Sequence, residues 1–155
     1  MASLLREHPE WDIDEAYEAA KELSESVHMC FVPDTLEFLR AGGRVSNAAA
    51  ICGNLLKIHP GIEIQEGYLK AVKKHRGKME KIIPRLIQSY VEEQNLLKDE
   101  IWLINAPGLS PQCMEQAQNT AKEMGIKNIT WVSTGGVITT HGGPGAFGVV
   151  GISAR

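Results

Sequence analysis

The sequence predicts an α/β domain built on a mixed β-sheet, and three observations carry that reading. The chain has 155 residues, 43% hydrophobic and 23% charged, which suits one globular domain with its own core. Residues 101–133 run apolar strand, amphipathic helix, strand, the order of a parallel pair joined by a crossover helix. Residues 58–75 hold two loosely alternating segments around Glu66-Gly67, a hairpin signal that adds antiparallel strands.

The elements follow in order. Asp12 to Val27 is read as an amphipathic helix, because Ile13, Ala16, Tyr17, Ala20, Leu23 and Val27 recur on one face behind early acidic residues. His28 to Val32 is a short apolar run suited to a buried strand. Asp34 is placed to cap a short helix carrying Leu36, Phe38 and Leu39, which Gly42-Gly43 stops. Ser46 or Asn47 then caps a second short helix, Ala48 to Leu56. After the hairpin, Gly77 to Leu97 has the strongest helical pattern, with Met79, Ile82, Ile83, Leu86, Ile87, Tyr90 and Val91 in one stripe. Pro84 lies inside it and either kinks the helix or marks its start; the sequence leaves both open. Ile101 to Asn105 is an apolar strand. Ser110-Pro111 caps and opens a helix that ends at Gly125, and Asn128 to Ser133 is the next strand. Gly145 to Ser153 reads as a final glycine-rich strand.

Composition narrows the function. Nineteen acidic against 16 basic side chains leave a net charge of −3, which argues against a general nucleic-acid binder. Cysteines stand at 30, 52 and 113, an odd count without a C-x-x-C pair, so neither a disulfide framework nor a zinc site is indicated. Reduced thiols and a cytoplasmic location are expected. No signal-peptide pattern opens the chain, and no run approaches the ~20 apolar residues of a membrane span. The histidines lack metal-ligand spacing, and the Glu92-Glu93 pair sits on a solvent-facing helix position.

Glycine is the one departure from an ordinary composition: seven of 15 fall between Gly135 and Gly151. Gly143 to Gly148 spells G-x-G-x-x-G, but the run that follows is a strand pattern near the chain end, so the dinucleotide reading is rejected. Walker and G-x-S-x-G motifs are absent from the sequence. Within Thr139 to Gly145, closely spaced glycines free backbone amides to approach an anion, and His141 adds a donor whose charge responds near neutral pH. A tight turn with an inert histidine fits the same residues. Arg44, on a loop after Gly42-Gly43, suits a carboxylate or phosphate fork or a plain surface arginine. Arg76 closes a basic strand with Lys70, Lys73 and Lys74, and Lys78, Lys81 and Arg85 extend it; a solvated face and an anionic partner both fit. His8 and His59, each before a proline, are read as structural or surface residues.

Taken together, these motifs resemble the DegV family. Phe31 to Ser46 resembles its F-x-V-x-T-L-x-x-L-x-x-G-G-R-[IV]-S segment, and Gly53 to Pro60 its G-x-L-L-x-I-[KR]-P stretch. Arg76-Gly77 matches the turn after its hairpin, and His141 to Ala146 its H-x-G-P-G-A ending. The matches keep the family's order across residues 12–153. Three departures stand out: His59 replaces a basic residue, Gly61 a bulky apolar one, and Gly142 the more usual threonine or valine.

The resemblance implies a two-layer sandwich, a mixed sheet with helices packed mainly on one face. It implies that residues 1–155 are the C-terminal domain, with the N-terminal α/β domain absent from this chain. DegV proteins bind a long-chain fatty acid between two domains, and some present it to a separate DAK-type fatty acid kinase. The chain would then be a carrier rather than an enzyme, with the fatty acid as ligand, its own N-terminal domain and a kinase as partners, and no cofactor or metal. The implied carboxylate site is His141 with Gly142 and Gly143; the implied phosphate- or kinase-facing residues are Arg44 and Arg76. The alternative is a regulatory or interaction domain that binds a phosphorylated small molecule or a protein through its arginines and glycine-rich loops.

Overall fold

A computed structural model describes residues 2–43 and 58–154. Arg44, Ser46, Asn47, Cys52 and the helix expected over residues 48–56 lie outside the described residues.

Two N-terminal helices, α1 (Ala2–Glu7) and α2 (Ile13–Ser26), lead directly into β1 (Val27–Val32). A short α3 (Glu37–Ala41) follows, then β2 (Ile58–Gln65) and β3 (Tyr68–Arg76). The second half comprises α4 (Met79–Glu93), β4 (Leu96–Asn105), α5 (Pro111–Glu123), β5 (Asn128–Ser133), α6 (Gly136–Gly142) and β6 (Phe147–Ser153). The six strands form one sheet in the order β3-β2-β1-β6-β4-β5. Only the β4–β5 pair is parallel, with α5 as its crossover; the other pairs are antiparallel. The mixed α/β sheet is the one expected.

Local signals explain most boundaries. Asp12 caps α2 by accepting the Asp14 and Glu15 amides, and Glu15 accepts the Asp12 amide in return. Ser110 Oγ accepts the Cys113 amide at 3.2 Å, and Pro111 occupies the first turn of α5. Glu66 (φ 54°) and Gly67 (φ 80°) both take positive φ, the requirement of a tight hairpin turn whose twist matches its strands.

Three expectations need correction, and the choice left open at Pro84 is decided. Asp34 does not cap α3; Thr35 Oγ1 accepts the Glu37 amide instead, and Leu36 is the capping residue. The long helix ends at Glu93 because Asn95 turns the chain at φ 48° and Leu96-Leu97 join β4. Pro84 lies well inside α4, so it does not mark the start. The stretch read as a turn before His141 is the helix α6. Its glycine and β-branched residues are poor helix formers. Tertiary packing overrides that propensity: Phe38 of α3 lies against Gly143 and His141 against Gly42, while Thr139 Oγ1 and Thr140 Oγ1 donate back to the Gly135 and Gly136 carbonyls at 2.9 and 2.8 Å.

The sheet is apolar on both faces, and the helices divide unequally between them. On one face, Cys30, Val32, Ile101, Leu103, Phe147 and Val149 pack against the α4 stripe and against Cys113, Ala117 and Ala121 of α5. This is the main core. Burial pushes the Cys30 thiol up to about 12, so it is an inert packing group. On the other face, Leu39 of α3 is buried against Ile62, with Phe31, Leu69 and Ala71 around them. The rest of that face carries no helical layer among the described residues, and Ile64, Val132 and Ile138 stay exposed.

A β-bulge sorts the hairpin's side chains between the two faces. Gly61 pairs with Lys73 and Ile62 with Ala71, so Val72 is the extra residue. Leu69 and Ala71 therefore turn toward Leu39, whereas Lys73 turns toward α4 and pairs with Glu93. His75 lies opposite His59 across the pair, with its Nε2 buried and without a hydrogen-bond partner among the described residues. Burial, then Lys73 and His59, hold its pKa below the usual histidine range, and Glu93 opposes them.

Two predictions follow from this division. Leu103→Ala should lower unfolding free energy by about 2–5 kcal/mol in urea titration, as expected for a fully buried leucine. Ile138→Ser, at a position 62% exposed, should change it by less than about 0.5 kcal/mol; the opposite ranking would put the core on the wrong face. His75 prefers to be neutral when folded, whereas an unfolded histidine protonates near about pH 6.5. Its contribution is thus present above that pH and is lost as pH falls through the lower folded value. Urea midpoints should drop on acidification from about pH 6.5, and His75→Leu should flatten that part of the profile.

Candidate functional site: an apolar groove ending at His141

The strand pairings bring six strand ends to one end of the sheet. Val32 aligns with Phe147, Phe147 with Asn105, and Asn105 with Ser133, while Arg76 aligns with Ile58 on the other flank. The C-terminal ends of the parallel pair β4 and β5 therefore lie beside the start of β6. In open α/β sheets this is where ligands bind.

A groove of about 440 Å³ opens there, on the face without a helical layer. Its floor is Met29 and Phe31 of β1, Gly148 of β6 and Ile104 of β4. Leu39, Ile64 and Leu69 wall one side; Val132 and Ile138 wall the other. At one end the lining turns polar with Ser133, Thr134 and His141, beside Gly142 and Gly143.

The hydroxyl protons at that end are already committed. Ser133 Oγ donates to Asn105 Oδ1 at 3.2 Å. Thr139 Oγ1 donates to the Gly135 carbonyl, so in the 2.8 Å contact between Thr134 and Thr139 the proton comes from Thr134. His141, partly buried in the last turn of α6, has no hydrogen-bond partner among the described residues. It is the polar lining side chain left with a donor to offer.

The glycines act here through space more than through their amides. The Gly143 N–H is engaged, donating to the Thr139 carbonyl at 2.9 Å. Gly143 adopts φ 84° and ψ 161°, a region open essentially to glycine alone. A Cβ there would stand 2.9 Å from the Phe38 ring. Phe38 and His141 thus bring α3 and α6 together through glycines on the opposite element: Phe38 over Gly143, His141 against Gly42.

The structure brings His141, Gly142 and Gly143 together along the groove. Arg76 is exposed at the end of β3, three strands from β6 and so about 14 Å along the sheet, and does not line it. Lys74, Arg76, Lys78, Lys81 and Arg85 are each exposed and without a carboxylate partner among the described residues, whereas Lys70 and Lys73 pair with Glu66 and Glu93. No group of three or more His, Cys, Asp or Glu able to hold a metal ion occurs among the described residues. No described helix is long and apolar enough to cross a membrane.

Comparison with known proteins agrees with this geometry. Residues 4–154 match the family model described as "Uncharacterised protein, DegV family". The chain belongs to the DegV family. It is 31% identical over 142 residues to a DegV domain-containing protein of Clostridium acetobutylicum, an alignment covering 88% of this chain and 47% of that protein. The chain spans about half the length of the curated relatives it matches. Among solved structures it superposes on a fatty acid binding DegV family protein from Streptococcus agalactiae with TM-score 0.80 and 30% identity, covering 98% of this chain and 53% of that one. A Streptococcus pneumoniae fatty acid kinase B3 protein, loaded with linoleic acid, shares the fold at TM-score 0.78 and 18% identity, over 94% of this chain and 51% of that one.

Sequence reasoning missed the groove's walls. Their signal was present, since the apolar runs at β1 and β4 are those of strands covered on both faces. Gly143→Ala should destabilise the fold by about 1–3 kcal/mol through its backbone alone. Gly142→Ala, in a helix with nothing within 4 Å of the added Cβ, should be neutral or slightly stabilising. Thermal unfolding of the two variants checks the difference.

Proposed function

We propose that this chain is the C-terminal half of a long-chain fatty acid carrier and that His141 holds the ligand's carboxylate. One observation carries the reading: an apolar groove ends at a histidine that no described residue has claimed. Each CH₂ buried on the groove contributes about 0.8 kcal/mol, so a long tail supplies most of the affinity. The carboxylate is then drawn out of bulk water and needs a donor, because an unpaired buried charge is expensive. Fatty acid binding by the streptococcal relative, at 30% identity, supports the same ligand class.

Among the described residues the groove is open, and the apolar face around it is incomplete as a binding site. Its cover is the carrier's own N-terminal domain, which also supplies hydroxyl groups to the carboxylate. The exposed apolar residues Ile13 and Tyr17 of α2 and Val137 and Ile138 of α6 offer further surface for that domain. The chain itself performs no chemistry. A separate DAK-type kinase phosphorylates the bound acid, with Arg44 and Arg76 facing the phosphate or the kinase; the name of the pneumococcal protein supports this partner. A module for phosphorylated small molecules would need a shallow polar cup, and the groove beside His141 is deep in apolar residues instead.

Native mass spectrometry of the intact protein should reveal an acyl adduct. His141→Ala should weaken fatty acid affinity by about tenfold or more, the worth of a hydrogen bond to a charged group. Absence of any adduct from every preparation would overturn the ligand assignment.

A further inference from the structure

We infer that Gly42 is a positioning residue for His141, a role that rests on the carboxylate-binding reading above. Gly42 sits at the end of α3 with φ −80° and ψ −1°, a conformation every residue adopts. Its N–H donates to the Phe38 carbonyl at 2.9 Å, as in any helix terminus. Backbone geometry therefore gives no reason for glycine, and alanine is the better helix former.

The reason is space. A Cβ on Gly42 would stand 2.7 Å from His141 Nδ1 and 3.4 Å from Cε1, well inside ordinary contact distance. The atom it meets is the tip of a side chain with two rotatable bonds, so the imidazole yields and the helix does not. His141 has no described hydrogen bond to hold its ring. Among the described residues packing orients it, and the bare Cα of Gly42 is a surface it packs on. Gly43 is the converse case: φ is 67°, and nothing lies within 4 Å of an added Cβ. One glycine of the pair makes room for the histidine; the other turns the chain.

This separates stability from ligand recognition. In the intact protein, Gly42→Ala should leave the thermal midpoint no lower than wild type. The His141 imidazole resonances of the unliganded protein should nonetheless shift in two-dimensional NMR. Affinity for palmitic acid should fall about tenfold, the loss of a charged hydrogen bond, with affinity for hexadecanol, the same tail without a carboxylate, unchanged. Combined with His141→Ala, Gly42→Ala should cause no further loss, since both act through one ring. Unshifted His141 resonances, equal losses for acid and alcohol, or additive losses in the double variant would each overturn the assignment. Should wild type take up no palmitic acid, the carboxylate reading fails by itself, and the His141 resonances still decide whether Gly42 places the ring.

Discussion

A sheet with two apolar faces and, among the described residues, a helical layer over one of them leaves much of its hydrophobic surface to be hidden from water. Everything distinctive about this chain follows from that imbalance. Helices α4 and α5 cover one face so completely that Ile101, Leu103 and Val149 have no solvent exposure. Among the described residues the other face receives Leu39 of α3 and the flank of α6, and between them lies the groove. Exposed apolar surface of this kind marks a binding or docking site in a soluble protein. Helix α2, with its well-formed capping box, likewise leaves Ile13 83% exposed.

The groove's polar end is governed by competition for protons. A row of hydroxyls beside a pocket looks like a ready anion site, yet Ser133, Thr134, Thr139 and Thr140 all donate inward. Their protons are spent within α6 and on the strand ends beside it, and α6 carries His141. Among the described residues, that leaves one uncommitted imidazole at the polar end. The glycines complete the arrangement by letting α3 and α6 approach closely enough for each to set the other's ring.

Much of the fold was legible in the residues. The capping box of α2, Ser110-Pro111, the Glu66-Gly67 turn and the stripe of α4 are local signals, decided by the backbone's own hydrogen bonding and by helical periodicity. Errors arose where tertiary forces prevailed. Leu96-Leu97 extends an apolar helical pattern, but pairing with β6 captures it as strand. The α6 segment has the propensity of a turn, but the packing of Phe38 and His141 between α3 and α6 keeps it helical. His141 was found through its motif, and the groove walls were not, because residues from β1, β2, β3, β4, β5 and β6 meet there and no sequence window contains them.

The sequence by itself determined the class of the protein: an α/β domain of the DegV family, with a histidine flanked by glycines as the candidate anion site. Periodicity, capping chemistry and motif order are short-range properties, and they survive in the linear text. Only the tertiary structure decided which face of the sheet is core and which is groove, and that the bulge at Val72 sends Lys73 one way and Ala71 the other. It alone decided that Gly42 lies against His141. Those outcomes depend on close packing between segments about a hundred residues apart in the chain, where a gap of one methyl group separates contact from collision.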